Sequence, residues 1–320
     1  MNKSIGLLFT VFVALCVSFA FSHRQGPPQP ATEIRLENAL LLDAQRVGGR
    51  LLAVGERAYI FASDDEGATW QRVPTGISAT LTGLAFADER LGLAVGHDAT
   101  ILRSEDGGRN WQPVFSAPDQ LRPLLDVAFI DASHAVAVGA YGAYFESADA
   151  GRTWAERQIV DGDRHYNAIA RLGDGTLIIA GEAGTLLRSG DAGQTWETLP
   201  PAYAGSYFGL LPLNGSSVLA YGMRGTLLRS DDRGDSWRSL ATGGEASLFG
   251  GARTADGSIV LVGQNGLVLA SRDGGASFTR QPVTGSGLWT AVGAMAAPGQ
   301  AIIFGDGGLA RMALPAGEKQ

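Results

Sequence analysis

The sequence has 320 residues, enough for one large domain or two, with 45% hydrophobic and 18% charged side chains and a net charge of −7. A negative chain without a basic footprint argues against a nucleic-acid partner. Its 45 glycines lack a Gly-X-Y period, which excludes collagen and favours short strands joined by tight turns.

The first element is an N-terminal apolar run from Ile5 to Phe21, preceded by Lys3 and closed by Ala20-Phe21-Ser22. A basic n-region, an apolar h-region and a small-x-small site predict a signal peptide over residues 1–22, cleaved before His23. The alternative is a retained membrane anchor, for which the run is near the lower length limit. Cys16, the single cysteine, follows Leu15, where a lipoprotein signal needs a small residue, so no lipid anchor is expected. The expected location is outside the cytoplasm, in the periplasm or a thylakoid-lumen-like compartment, free or membrane-associated. The mature chain has no cysteine and hence no disulfide, although export leads to a compartment that permits them. A Pro-rich linker follows at 23–30, "HRQGPPQP".

From residue 31 to 315 the sequence repeats. "SDDEGATW" at 63 recurs as "SEDGGRNW", "SADAGRTW", "SGDAGQTW", "SDDRGDSW" and "SRDGGASF". The closing aromatics are Trp70, Trp111, Trp154, Trp196, Trp237 and Phe278, spaced 41, 43, 42, 41 and 41 residues apart. A second motif, apolar-x-Gly-x-x-(Gly/Ala) and then an apolar strand, precedes each; its leading glycines are Gly55, Gly96, Gly139, Gly181, Gly222 and Gly263, with a seventh copy at Gly305. A period near 40 with all-β content predicts a seven-bladed β-propeller. Each unit divides into four strands; in the fourth they are "YNAIARLG", "GTLIIAGE", "GTLLRSG" and "TWETLP". The glycines of "GEAG" are expected to supply the positive φ of a tight hairpin. The seventh unit stops after its third strand, so "TEIRL" at 32–36 is expected to complete the last blade and close the ring, removing an exposed edge. Residues 316–320 are a short tail.

The repeated Asp65, Asp106, Asp149, Asp191, Asp232 and Asp273 fall at the turn between third and fourth strands. There a carboxylate can accept backbone N–H groups, the Gly can take positive φ and the Trp can pack between blades. Six copies of one residue indicate a building element rather than a catalyst.

S-x-D-x-G-x-T-W is the Asp-box, or BNR repeat, which also occurs in sialidases, sortilin-like receptors and some glucanases. Its pairing with "VGxxGTLLRS", clearest at 180–196 and 221–237, resembles the photosystem II stability/assembly factor family of seven-bladed propellers. The resemblance implies a non-enzymatic exported factor that helps a membrane protein complex assemble. Similar propellers occur in bacteria without a photosystem, and this chain is placed among those. Blade one departs from the pattern with Ala58 for the second Gly, and blade three with "YFES" for "LLRS".

No enzymatic site stands out. Arg103, Arg188 and Arg229 recur at one position beside the Asp-box, where salt bridges are the expected role. Asp126, Glu182 and Asp306 could approach the pore, but no spacing selects a carboxylate pair. The histidines at 23, 97, 134 and 165 have no metal-ligand spacing, so neither metal nor cofactor is expected. The turns opposite the Asp-boxes differ from blade to blade. On that face the reading places Arg122, Arg164, His165, Tyr166, Tyr207, Phe208, Arg224, Phe249 and Trp289 as partner-binding residues, a mixture common at protein contacts. The expected function is a monomeric scaffold or assembly factor that binds a membrane protein or complex. A glycan-active hydrolase of the Asp-box type is the alternative, and a ligand-binding receptor module the third reading.

Overall fold

The computed structural model describes residues 2–20, 36, 39–283, 287–295, 297–306 and 308–314. The chain divides into two compact units, residues 1–34 and 35–320. The first holds one helix, α1 (Asn2–Ala20), with Leu8, Phe9 and Phe12 exposed. Among the described residues no helix is long and apolar enough to cross a membrane.

The second unit is a seven-bladed β-propeller. Seven antiparallel sheets follow one another, each strand pairing with the next in sequence. The innermost strands are Leu41–Val47, Leu81–Phe86, Leu124–Phe129, Tyr166–Arg171, Tyr207–Pro212, Leu248–Arg253 and Trp289–Ala294. Six sheets have four strands and the seventh has three among the described residues. The closing strand expected at 32–36 lies outside the described residues, save Leu36, which is buried. At the hub the ring joins directly: the Thr290 hydroxyl of blade seven donates to the Leu41 carbonyl of blade one. Further out, Trp70 of blade one meets Phe304 of blade seven edge-on at 5.5 Å.

The second strands, such as Leu177–Gly181, are buried, save for the first residues Arg50 and Gln300 in blades one and seven. Both faces pack on neighbouring blades, which is why these strands read as continuous apolar runs. The turn that follows corrects the hairpin expectation. Gly184 does take positive φ, +76°, but the leading Gly181 is extended, at −155°. Gly181 is required for another reason: a Cβ there would lie 2.1 Å from the His165 carbonyl oxygen. The remaining left-handed position falls on Ala183, at +50°.

The Asp-box is the turn expected, with a serine as its hub. In the fourth blade Ser189 donates to Asp191 Oδ1 at 2.7 Å and accepts the Gly193 N–H at 2.8 Å. Asp191 also accepts the Thr195 N–H at 2.9 Å and the Thr195 hydroxyl at 2.6 Å. That hydroxyl first, then the Thr195 N–H and Ser189, hold the Asp191 carboxyl down to about 2. The Trp196 indole N–H donates to the Gly193 carbonyl at 3.2 Å, and its ring meets Tyr144 of blade three edge-on at 5.8 Å. Ser189 is only 1% exposed, so Ser189→Ala strands a buried N–H and is expected to cost about 1–3 kcal/mol in urea denaturation. A variant as stable as the parent would show that the box does not hold the turn.

Candidate binding face and central channel

On the face opposite the Asp-boxes, the turns between second and third strands are tied to the loops that lead into the inner strands. Ala99 N–H donates to the Arg122 carbonyl at 3.2 Å, Gly142 N–H to Arg164 at 2.9 Å and Gly184 N–H to Gly205 at 2.8 Å. These bonds hold variable side chains on a fixed frame. Arg164 is exposed, and its guanidinium donates to the Ala183 carbonyl at 2.9 Å. Arg224 is exposed at the tip of its turn, with φ +54°. Arg122 pairs with Glu156 at 2.7 Å. His165 is half-buried and meets the Tyr141 ring edge-on at 4.8 Å.

The other five aromatic positions read from the sequence do not share that surface. Tyr166, Tyr207 and Trp289 are 2%, 0% and 4% exposed. Each opens an inner strand, and that first position points into the core between blades. They are corrected from contact residues to packing residues. Phe208 and Phe249 stand one residue later and face the central channel, stacked at 5.2 Å with planes 20° apart. A register shift after the first residue separates the two positions in these strands. Two exposed residues on this side stand outside the partner-binding set read from the sequence, Leu121 and Tyr141, 77% and 55% exposed and both left-handed, at φ +49° and +55°. Tyr141 was legible as an aromatic at a turn tip.

The channel is a cavity of about 440 Å³ lined by all seven inner strands. Its wall is stitched blade to blade. Asp43 accepts the Leu84 N–H at 2.8 Å, and Thr82 donates to the Leu124 carbonyl at 2.7 Å. Asp126 accepts the Ile169 N–H at 2.8 Å, and Asn167 donates to the Tyr207 carbonyl at 2.7 Å. Burial pushes the Asp43 carboxyl up to about 6 and Asp126 to about 7, against the pull of their backbone N–H partners; the Asp43 charge adds to the rise at Asp126. Burial likewise raises the Tyr221 hydroxyl, with both carboxylates contributing.

The carboxylates expected near the pore therefore separate. Asp126 lines the channel, whereas Glu182 and Asp306 brace turns by accepting the His165 and Leu288 N–H groups, each at 2.9 Å. Asp43 was missed, although it departs from the Gly or Ala at the matching position of five blades. On the Asp-box face Arg103, Arg188 and Arg229 form the expected salt bridges, to Glu105, to Glu197 and Asp235, and to Asp231. Each also bridges to a carbonyl of the next blade: Ala150, Arg233 or Gly274. Among the described residues no group of three or more His, Cys, Asp or Glu could hold a metal ion.

The family model described as Photosynthesis system II assembly factor YCF48 matches residues 117–266. The fold is similar to a solved YCF48 bound to a D1 peptide, at TM-score 0.69 and 18% identity, covering 91% of this chain and 100% of that one. It is similar at the same TM-score and 17% identity to YCF48 from Cyanidioschyzon merolae, covering 87% of this chain and 96% of that one. A GH74 enzyme from Niastella koreensis shares the architecture at TM-score 0.65 and 19% identity, covering 86% of this chain but 43% of the enzyme. At these identities the likeness is one of fold. No curated protein matches the chain.

Proposed function

We propose, from the premise that the chain is a photosystem II stability/assembly factor-like Asp-box propeller, that it works by binding, as an exported scaffold or assembly factor for a membrane protein or complex. The observation that carries this reading is the division of labour between the two faces. The Asp-box face repeats one hydrogen-bonded turn six times, in Asp65, Asp106, Asp149, Asp191, Asp232 and Asp273, with Arg103, Arg188 and Arg229 paired to carboxylates. The opposite face carries a different tip on every blade, with Arg164, Arg224 and Tyr141 exposed on it. Divergent loops on a rigid frame are where recognition is built, and Tyr with Arg suits a protein contact. A relative of the same fold bound to a D1 peptide supports a protein partner. Arginines there suit carboxylate-bearing surfaces.

An Arg164→Ala/Arg224→Ala/Tyr141→Ala variant is expected to keep its fold by circular dichroism and to lose its partner in pull-downs from solubilised membranes. Equal recovery of the partner by the folded variant would remove this face as the docking surface. Helix α1, with the small-x-small site at Ala20-Phe21-Ser22, is read as the export leader. Intact mass of the exported protein is expected to begin at or near His23. A chain still carrying Met1 in the membrane fraction would make α1 an anchor instead. The hydrolase alternative predicts turnover of chromogenic glycosides or sialosides, and none is expected.

A further inference from the structure

Three polar side chains break the repeat at one level of the propeller. In the strand registers, Asp43 pairs with Val54, Asp126 with Val138 and Gly209 with Tyr221. The same register position in the other blades pairs Gly83 with Val95, Ala168 with Ala180, Gly250 with Val262 and Ala291 with Phe304. Blades one and three thus place a carboxylate where their neighbours have Gly or Ala. Blade five places a phenol where its neighbours are apolar. All three side chains line the central channel and sense one another electrostatically.

Tyr221 is built into this position. A Cβ at Gly209 would lie 2.3 Å from its ring, so the glycine is what gives the ring room beside the channel. The side chain is 5% exposed, and its hydroxyl has no hydrogen-bond partner among the described residues. Each oxygen of Asp43 and Asp126 accepts one backbone N–H, from Ala44 and Leu84 and from Val127 and Ile169. A carboxylate oxygen has two lone pairs, so acceptor capacity remains on all four. The stacked Phe208 and Phe249 complete the lining with ring faces and edges. Arg171, exposed at the far end of its inner strand, is the one arginine among the lining residues.

We propose that the channel is a binding site for an organic ammonium group, held by Asp43 and Asp126, with Tyr221 as third acceptor and the Phe208–Phe249 stack as an apolar wall. Two carboxylates and a phenol are too few hard ligands for a calcium- or magnesium-type site. Aromatic walls with carboxylates suit a diffuse organic cation. The ammonium could come from a free amine or from a lysine side chain of a docked protein, and the channel volume is in the usual range for small-ligand sites.

The test is a titration of the purified full-length protein at physiological salt with n-butylammonium, with Nα-acetyl-lysinamide and with neutral n-butanol, followed by calorimetry and ligand-observed NMR. Saturable binding of either amine at pH 8, at least about tenfold weaker at pH 5 where the carboxylates take up protons, is expected. Butanol should not compete. Tighter binding of the lysine derivative than of butylammonium assigns the site to a protein side chain; equal or tighter binding of butylammonium points to free amines. Asp43→Ala/Asp126→Ala should abolish binding. Tyr221→Phe, which keeps the ring, should weaken it by about tenfold. Absence of saturable amine binding, equal binding of butanol, or unchanged affinity in the folded double variant would overturn the proposal. The site does not depend on the identity of the membrane partner, so failure of the pull-down would leave it standing.

Discussion

Replacing Tyr207 by Ala is expected to destabilise the propeller by about 3–5 kcal/mol, the cost of a large aromatic lost from a packed core. Tyr207 is fully buried where blades four and five meet. It packs with Ala180, Leu186, Leu199, Ala220 and Leu228 and meets the Tyr203 ring at 6.0 Å. Its backbone carbonyl also accepts the Asn167 side-chain amide across the blade boundary. The hydroxyl is different. It makes no hydrogen bond of good geometry among the described residues, with only a weak approach from the Tyr203 backbone, and burial pushes its pKa up to about 12, so it stays protonated. Tyr207→Phe removes only that poorly satisfied group and is expected to be neutral or stabilising by up to about 1 kcal/mol. Arg164→Ala, on the exposed face, should fall within about 0.5 kcal/mol of the parent. Urea denaturation of the three variants separates a packing residue from a contact residue. A Tyr207→Ala protein that unfolds with the parent would return Tyr207 to the binding face.

That contrast shows where the sequence is legible. Blade number, strand order and the Asp-box turn follow from the repeat itself, because Ser, Asp, Gly and Trp recur wherever the turn needs them. The variable face is also legible, since the tips differ where the frame does not constrain them. What cannot be read is the direction of a side chain within an inner strand. Tyr207 and Phe208 are adjacent aromatics with one composition, yet the first is core and the second lines the channel. The difference arises from the register shift between Tyr207 and Gly209, which has no distinct residue signature. Asp43 was within reach: it stands where five other blades carry Gly or Ala. Comparing copies column by column finds such departures, whereas a search for spaced carboxylate pairs passes over them. The leading glycines were seen but misassigned, because a close approach between strands and a positive φ both select glycine.

The channel carboxylates are expected to make stability fall as pH rises from about 5 to about 8, the reverse of ordinary surface carboxylates. The sign follows from linkage. Asp43 and Asp126 are raised from 3.8 to about 6 and about 7 in the folded protein. Their contribution is therefore fully present below about 4 and is lost as pH rises through 6 and 7. The Asp-box carboxylates cannot supply this slope. Asp65 and Asp191 are held at about 2 by the hydroxyl and N–H of Thr69 and Thr195, so their contribution is lost only in strong acid. Each unit of displacement corresponds to about 1.4 kcal/mol. Both carboxylates keep part of their surface on the channel, where solvent screens the charge, so about 1–3 kcal/mol for the pair is a better scale. The groups that share the channel are Tyr221, whose hydroxyl burial keeps protonated across this range, and the Arg171 guanidinium at the Asp-box end. The cleanest readout is the stability difference between the parent and Asp43→Ala/Asp126→Ala, because every group outside the channel is common to both proteins and cancels. Alanine is also the residue that blades four and seven carry at this position, in Ala168 and Ala291. Urea denaturation at pH 5 should show the parent favoured through its carboxyl hydrogen bonds to Leu84 and Ile169. At pH 8 that advantage should have shrunk by about 1–3 kcal/mol or reversed. A difference that stays constant across the range would mean that the two carboxyls ionise as ordinary surface groups and that the channel does not strain them.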